Sequence, residues 1–187
     1  MEETSAKSFM SVKDMTFTAI MTVLIAVCSW ISLPIGSVPF TLQTFGIFCA
    51  AMLLGGKRGT LAVLVYLLLG ALGVPVFAQF TSGIGILAGT TGGYLIGFLI
   101  IPALVLLTEK LLGEKLNLPI QIGVLILGLV LCYTFGTAWF IKVYSEKAAV
   151  TVGTALKWCV LPFILPDLGK LALATVISGR LKKYVRL

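Results

Sequence analysis

Apolar residues run along this chain in long blocks, not in the alternation of a half-buried strand or the single stripe of a surface helix. Six blocks stand out, at roughly 14–33, 41–55, 59–73, 92–112, 120–142 and 158–180. A helix needs about 20 apolar residues to cross the hydrocarbon of a bilayer. Backbone groups in lipid must be bonded within their own segment, so these blocks predict helices, and no alternation suggests a barrel. The second and third blocks are the shortest, and their boundaries are the least sharply marked. The punctuation agrees with the division. Pro34 and Gly36 close the first block, "GGKRG" (55–59) separates the second from the third, and Asn117-Leu118-Pro119 opens the fifth. The expected fold is an all-α membrane protein: six transmembrane helices in a compact bundle. It forms one domain over 1–187, with 1–13 as a short N-terminal segment.

Composition strengthens this picture. The chain is 59% hydrophobic and 11% charged, where a soluble domain carries about 25% charged residues. The net charge of +7 reads as membrane-flanking anchors, not as a nucleic-acid surface. Lys7, Lys13, Lys57, Arg58, Lys110, Lys115, Arg180, Lys182, Lys183 and Arg186 fall on one side of the six-span topology. Lys142 and Lys147 are the only basic residues of the fifth connection, on the other side. Lys157 lies near the start of the last block. Basic residues favour the cytoplasmic side, so both termini are expected there, and the first, third and fifth connections face outward. Cys28 after Ile25-Ala26-Val27 faintly resembles a lipoprotein cleavage site. Val27 is too large for one, and Asp14 stands where a basic region belongs.

Several chemistries are excluded. There is no histidine, which removes histidine acid–base catalysis and histidine-ligated metal. The four cysteines are scattered through apolar blocks without CxxC spacing, so they read as buried free thiols. "GGKRGT" lacks the spacing of a phosphate-binding loop, and "GIGILAG" follows no strand. No cofactor or metal is expected, and no internal repeat is visible.

The residues left for binding chemistry are few. Asp167 and Lys170 lie inside the last apolar block, where a charge costs about 2.5–3.5 kcal/mol on insertion scales. Their i,i+3 spacing puts them on one helix face, behind Pro162 and Pro166, which release backbone carbonyls. Either they serve a ligand or they satisfy each other. Gln43 and Gln79 each offer two donors and an acceptor; the plain alternative for each is an interhelical hydrogen bond. Gln79 belongs to the third connection, "GVPVFAQFTSGIGILAG" (73–89), which has no charge. Irregular backbone that apolar must lie against protein or line a cavity. In "GTTGGY" (89–94), Thr90 or Thr91 can cap the fourth helix, Gly92 and Gly93 permit close approach to backbone, and Tyr94 adds a flat face with a hydroxyl. Gly93 and Gly97 also fit close helix packing. Phe77, Phe80 and Tyr94 are candidate apolar walls. Thr18, Thr22 and Ala26 form a small-residue stripe on the first helix, suited to contact with another helix of this chain or of a partner. Trp30, Trp139 and Trp158 read as interfacial anchors.

In order and spacing, "VPFTLQTFG" (38–46), "LLLGALGVPVFA" (67–78), "GILAGTTGGYLIGF" (85–98) and "LPFILPDLGK" (161–170) resemble the BioY family. The resemblance runs from about residue 14 to 180. It implies the biotin-binding substrate component of an energy-coupling factor (ECF) transporter in a bacterial plasma membrane, with an outward-facing vitamin pocket. It also implies a transmembrane coupling component and two ATPase subunits as partners. Asp167 and Lys170 match the family's last-helix pair, and Gly92, Gly93 and Tyr94 its Gly-Gly-Tyr turn. The chain departs from the family pattern in three places. Thr90 replaces a proline, Gln79-Phe80 replaces a small, Gly-rich or Asn-bearing stretch, and Thr18 and Thr22 stand where alanines recur.

The expected function is therefore high-affinity biotin capture without covalent chemistry. The same scaffold binding dethiobiotin or lipoate is the nearest alternative; a lipoate site would not need Asp167 and the glutamines to converge. A self-contained transporter is a second class. Against it stand the short chain, the missing repeat and helices one, three and five that read as lacking polar residues. A membrane enzyme is a third, disfavoured by the absence of histidine.

Overall fold

The structure is a computed structural model and describes residues 11–34, 38–146 and 148–184. Lys7, Gly36, Lys147, Arg186 and residues 1–10 of the N-terminal segment lie outside the described residues. Helices dominate. The first, α1 (Val12–Trp30), starts with a reciprocal cap: Ser11 Oγ accepts from the Asp14 amide, and the Asp14 carboxylate accepts from the Ser11 amide. Asp14 also pairs with Arg58 at 2.8 Å.

The stripe Thr18, Thr22 and Ala26 faces inward. All three are buried, and the Thr22 hydroxyl donates to the Ala62 carbonyl at 3.1 Å. Small side chains let α1 press onto a helix of its own chain here, the first of the two contacts that the stripe suits. A two-residue antiparallel ladder follows, β1 (Ser32–Leu33) with β2 (Phe40–Thr41), pairing Ser32 with Thr41 and Leu33 with Phe40. The all-helix expectation omitted this ladder.

The second helix, α2 (Gln43–Ala71), is broken at Gly55, whose φ of 76° and ψ of 176° are not helical. The break is a reversal. Gln43 Nε2 donates to the Tyr66 hydroxyl at 2.6 Å across 23 residues, a separation of about 35 Å along one straight helix. So 43–54 and 56–71 are antiparallel arms, the second and third expected spans joined by a turn tighter than expected. The Glu109 carboxylate accepts the Gly56 amide with both oxygens, at 3.0 and 2.9 Å. A Cβ on Gly56 would collide with the Leu106 backbone.

The third connection lies against protein, as its composition requires. Val76 and Phe77 are buried. Phe77 stands edge-on to Tyr66 with centroids 5.6 Å apart, under Gly70, where a Cβ would strike its ring. Ser29 and Trp30 donate to the carbonyls of Val76 and Pro75. A single 3-10 turn at 78–80 and α3 (Ile84–Ala88) complete the segment.

The fourth span is α4 (Gly92–Gly97) followed by α5 (Ile100–Leu112), within the limits expected for it. The fifth is α6 (Leu118–Tyr144), capped by Asn117, which accepts from the Ile120 amide at 3.0 Å. The last begins earlier than expected, as α7 (Val152–Cys159), and turns at Val160 into α8 (Leu161–Leu181). Pro162 forces the turn, since it has no amide to continue α7.

Among the described residues, five helical stretches are long and apolar enough to cross a membrane, the folded α2 among them. The core is shared by α1, both arms of α2, α5 and α6. Ile25, Phe48, Ala51, Val63, Ile101 and Leu125 are wholly buried in it. The start of α1, the turn at Gly55, the end of α5, the start of α6 and the end of α8 share one pole. The Asp14–Arg58, Glu109–Gly56 and Lys182–Gln121 contacts tie them together.

Candidate functional site

A cavity of about 230 Å³ opens among α2, the third connection, α4, α6 and α8. Seven of the ten expected ligand residues line it: Gln43, Phe77, Gln79, Thr91, Tyr94, Asp167 and Lys170.

Asp167 and Lys170 form its charged wall, only 3% and 7% exposed. Lys170 Nζ lies 2.6 Å from Asp167 Oδ1, donates to the Thr41 carbonyl at 2.6 Å, and sits 4.2 Å above the centroid of the Phe40 ring. Asp167 has further donors. Thr44 Oγ1 reaches Oδ1 at 2.9 Å, and the Tyr133 hydroxyl reaches Oδ2 at 2.5 Å. A buried ion pair is tolerable only when additional hydrogen bonds satisfy both ions, and three donors on one carboxylate meet that condition. A carboxylate offers about four lone-pair sites, so Oδ2, with one bonded donor, keeps acceptor capacity.

Gln43 opens α2 and is held from both ends. Its Oε1 accepts from Thr41 Oγ1 at 2.8 Å, and its Nε2 donates to Tyr66. One amide proton remains for a ligand. Across the cavity, the hydroxyls of Tyr94 and Thr137 are 2.8 Å apart. The Tyr94 ring occupies space that a Cβ on Gly136 would take. Gln79 is exposed at the rim, and its side chain bonds to none of the described residues. Gln79 and Phe80 adopt φ of 56° and 58°, the left-handed region that costs non-glycine residues about 1–3 kcal/mol each. This strain coincides with the stretch that departs from the family pattern.

Three expected residues are elsewhere. Phe80 points out and stacks on Trp30, with centroids 5.1 Å apart. This stack and its bond to Pro75 give Trp30 a role in pinning the third connection. Gly92 and Gly93 serve packing: a Cβ on the first would strike the Leu87 carbonyl, and on the second the Trp139 side chain. Thr91 precedes α4 without a side-chain cap, and the Gly92 amide donates to the Gly89 carbonyl at 3.1 Å. The expected threonine cap is therefore not made by Thr91.

Sequence reasoning missed Thr41, Thr44, Tyr66, Tyr133 and Thr137. The second arm of α2 and α6 were read as lacking polar residues, yet Tyr66 and Tyr133 reach the site from them. Thr44 adjoins the quoted Gln43, and the spacing of Tyr133 from the buried Leu129 and Gly136 was the available signal for α6. Phe98, Phe163 and Leu95 supply apolar walls.

A multi-pass helical membrane protein with a charged pair walled into a small internal cavity is the class defined by this fold and site. The particular family follows from comparison. The chain belongs to the BioY family, whose sequence model matches residues 1–187. It is 45% identical to "Biotin transporter BioY" of Thermotoga maritima over 88% of this chain and 92% of that one. It is 38% identical to "Probable biotin transporter BioY" of Pyrococcus horikoshii over 92% and 98%. Its fold matches the crystal structure of the S-component for biotin from an ECF-type ABC transporter with a TM-score of 0.80. The two chains are 32% identical, with 94% of this chain and 96% of that one covered.

Proposed function

We propose that this chain is the biotin-capturing substrate subunit of an ATP-driven vitamin uptake transporter. It binds and does no covalent chemistry. The observation that carries the reading is the buried Asp167–Lys170 pair lining a small cavity with Gln43 beside it.

Biotin presents a ureido ring with two N–H donors and one carbonyl, an apolar thioether ring, and a carboxylate on a flexible chain. The acceptor capacity left on Asp167 Oδ2 suits a ureido N–H. The remaining amide proton of Gln43, or Gln79 at the rim, suits the ureido carbonyl. Phe77 and Tyr94, joined by Phe98 and Phe163, suit the thioether ring. The carboxylate suits the third donor of Lys170 or the Thr91 edge of α4.

The pole that gathers the basic residues is cytoplasmic by the positive-inside rule, so the cavity at the other end faces outward. Both termini are then cytoplasmic, and the membrane is a bacterial plasma membrane. ECF partnership supplies what this chain lacks: a transmembrane coupling component and two ATPase subunits drive release.

Calorimetric titration of the detergent-purified protein with biotin, with lipoate and dethiobiotin as competitors, tests this reading. One-to-one binding that lipoate does not displace is expected. Equal displacement by lipoate would assign the site to a broader class of small acids, and no binding by folded protein would remove the biotin reading.

A further inference from the structure

A second, apolar crevice of about 590 Å³ separates α6 from α7 and α8 along residues Ile126 to Ile141. Its lips include exposed Val130, Leu156, Ile164 and Leu168, so it opens on the lipid-facing surface. Among the described residues, Tyr133 alone lines both this crevice and the ligand cavity. It stands near the midpoint of the crevice. Its hydroxyl bond to Asp167 is the one hydrogen bond that crosses from α6 to α8 there.

The bonding of Asp167 is asymmetric. Oδ1 is held twice, by Thr44 and Lys170, whereas Oδ2 is held by Tyr133 alone. A carboxylate fixed at one oxygen can still twist about its Cβ–Cγ bond. Fixed at both, its plane is set, and so is the direction of the free lone pair on Oδ2. The ring of Tyr133 meanwhile lines both the crevice and the ligand cavity.

We infer that Tyr133 is a positioning residue for ligand capture: it aims Asp167 Oδ2 at the ligand N–H from α6. The inference rests on the biotin reading above.

The test is a double-mutant cycle read by biotin titration of the full chain. Tyr133→Phe keeps the ring and removes the hydroxyl. It should raise Kd at least about tenfold, the scale of one hydrogen bond to a charged group, read well below the unfolding range because the buried carboxylate also loses a donor and the thermal midpoint should fall. In the Asp167→Asn background, where the charge that strengthens the bond is gone, the same change should add less than about threefold. A general packing role would instead multiply the two losses. Unchanged affinity in Tyr133→Phe, or an equal factor in both backgrounds, overturns the inference while leaving biotin binding intact. Absence of binding by the unaltered protein removes both readings at the first titration.

Discussion

At the scale of single residues, the sequence exposed what is costly and hid what is cheap. Asp167 and Lys170 were legible because a charge in an apolar span demands a reason. Their partners were not, because a threonine, a tyrosine or a main-chain carbonyl carries no cost that singles it out. Thr44, Tyr133 and the Thr41 carbonyl reach the pair from three other elements, and only packing decides which face such residues take. The glycines show the opposite failure. Gly92 and Gly93 read as an approach for ligand, yet both are filled by neighbours. Gly93→Ala should therefore lower stability by about 1–3 kcal/mol through overpacking against Trp139. Biotin affinity below the unfolding range should stay within about threefold. Thermal unfolding with a parallel titration checks both; lost affinity at full stability would return Gly93 to the site.

At the scale of elements, the break in α2 was written plainly in "GGKRG", though not its tightness, since a run of glycine and charge cannot remain in the hydrocarbon. What could not be read was the support for it from Glu109 of α5. Its carboxylate holds the part-buried Gly56 amide. Glu109→Ala leaves that amide without its acceptor, and a loss of about 1–3 kcal/mol follows. A lowered thermal midpoint would report it, and an unchanged one would show the turn to be held by Leu106 packing instead. The start of the last span was misjudged because Lys157 interrupts the apolar run. In the structure it lies in the last turn of α7, where a cation complements the helix end. The short ladder between Ser32 and Thr41 left no pattern, since two residues cannot establish an alternation. It nevertheless delivers the Thr41 carbonyl to Lys170.

At the scale of the whole molecule, the number of spans was legible from block length, and the placement of lysine and arginine gives the chain its proposed orientation. The position of the cavity was not legible, because it arises where five elements fail to meet. The proposed orientation has a direct consequence. All four cysteines are free and buried, so a membrane-impermeant maleimide has little background. Ser145→Cys, in the exposed turn after α6, should label in intact cells, and Lys183→Cys only after lysis. The reverse pattern would invert the topology. The central claim is that Asp167 reads the ureido N–H of biotin in the buried cavity, and comparing biotin affinity in the unaltered protein and in Asp167→Asn tests it most directly. The account predicts one-to-one binding that weakens at least about tenfold in the variant, the loss expected for a hydrogen bond to a charged group. Equal affinity in the two proteins, both folded, would contradict it.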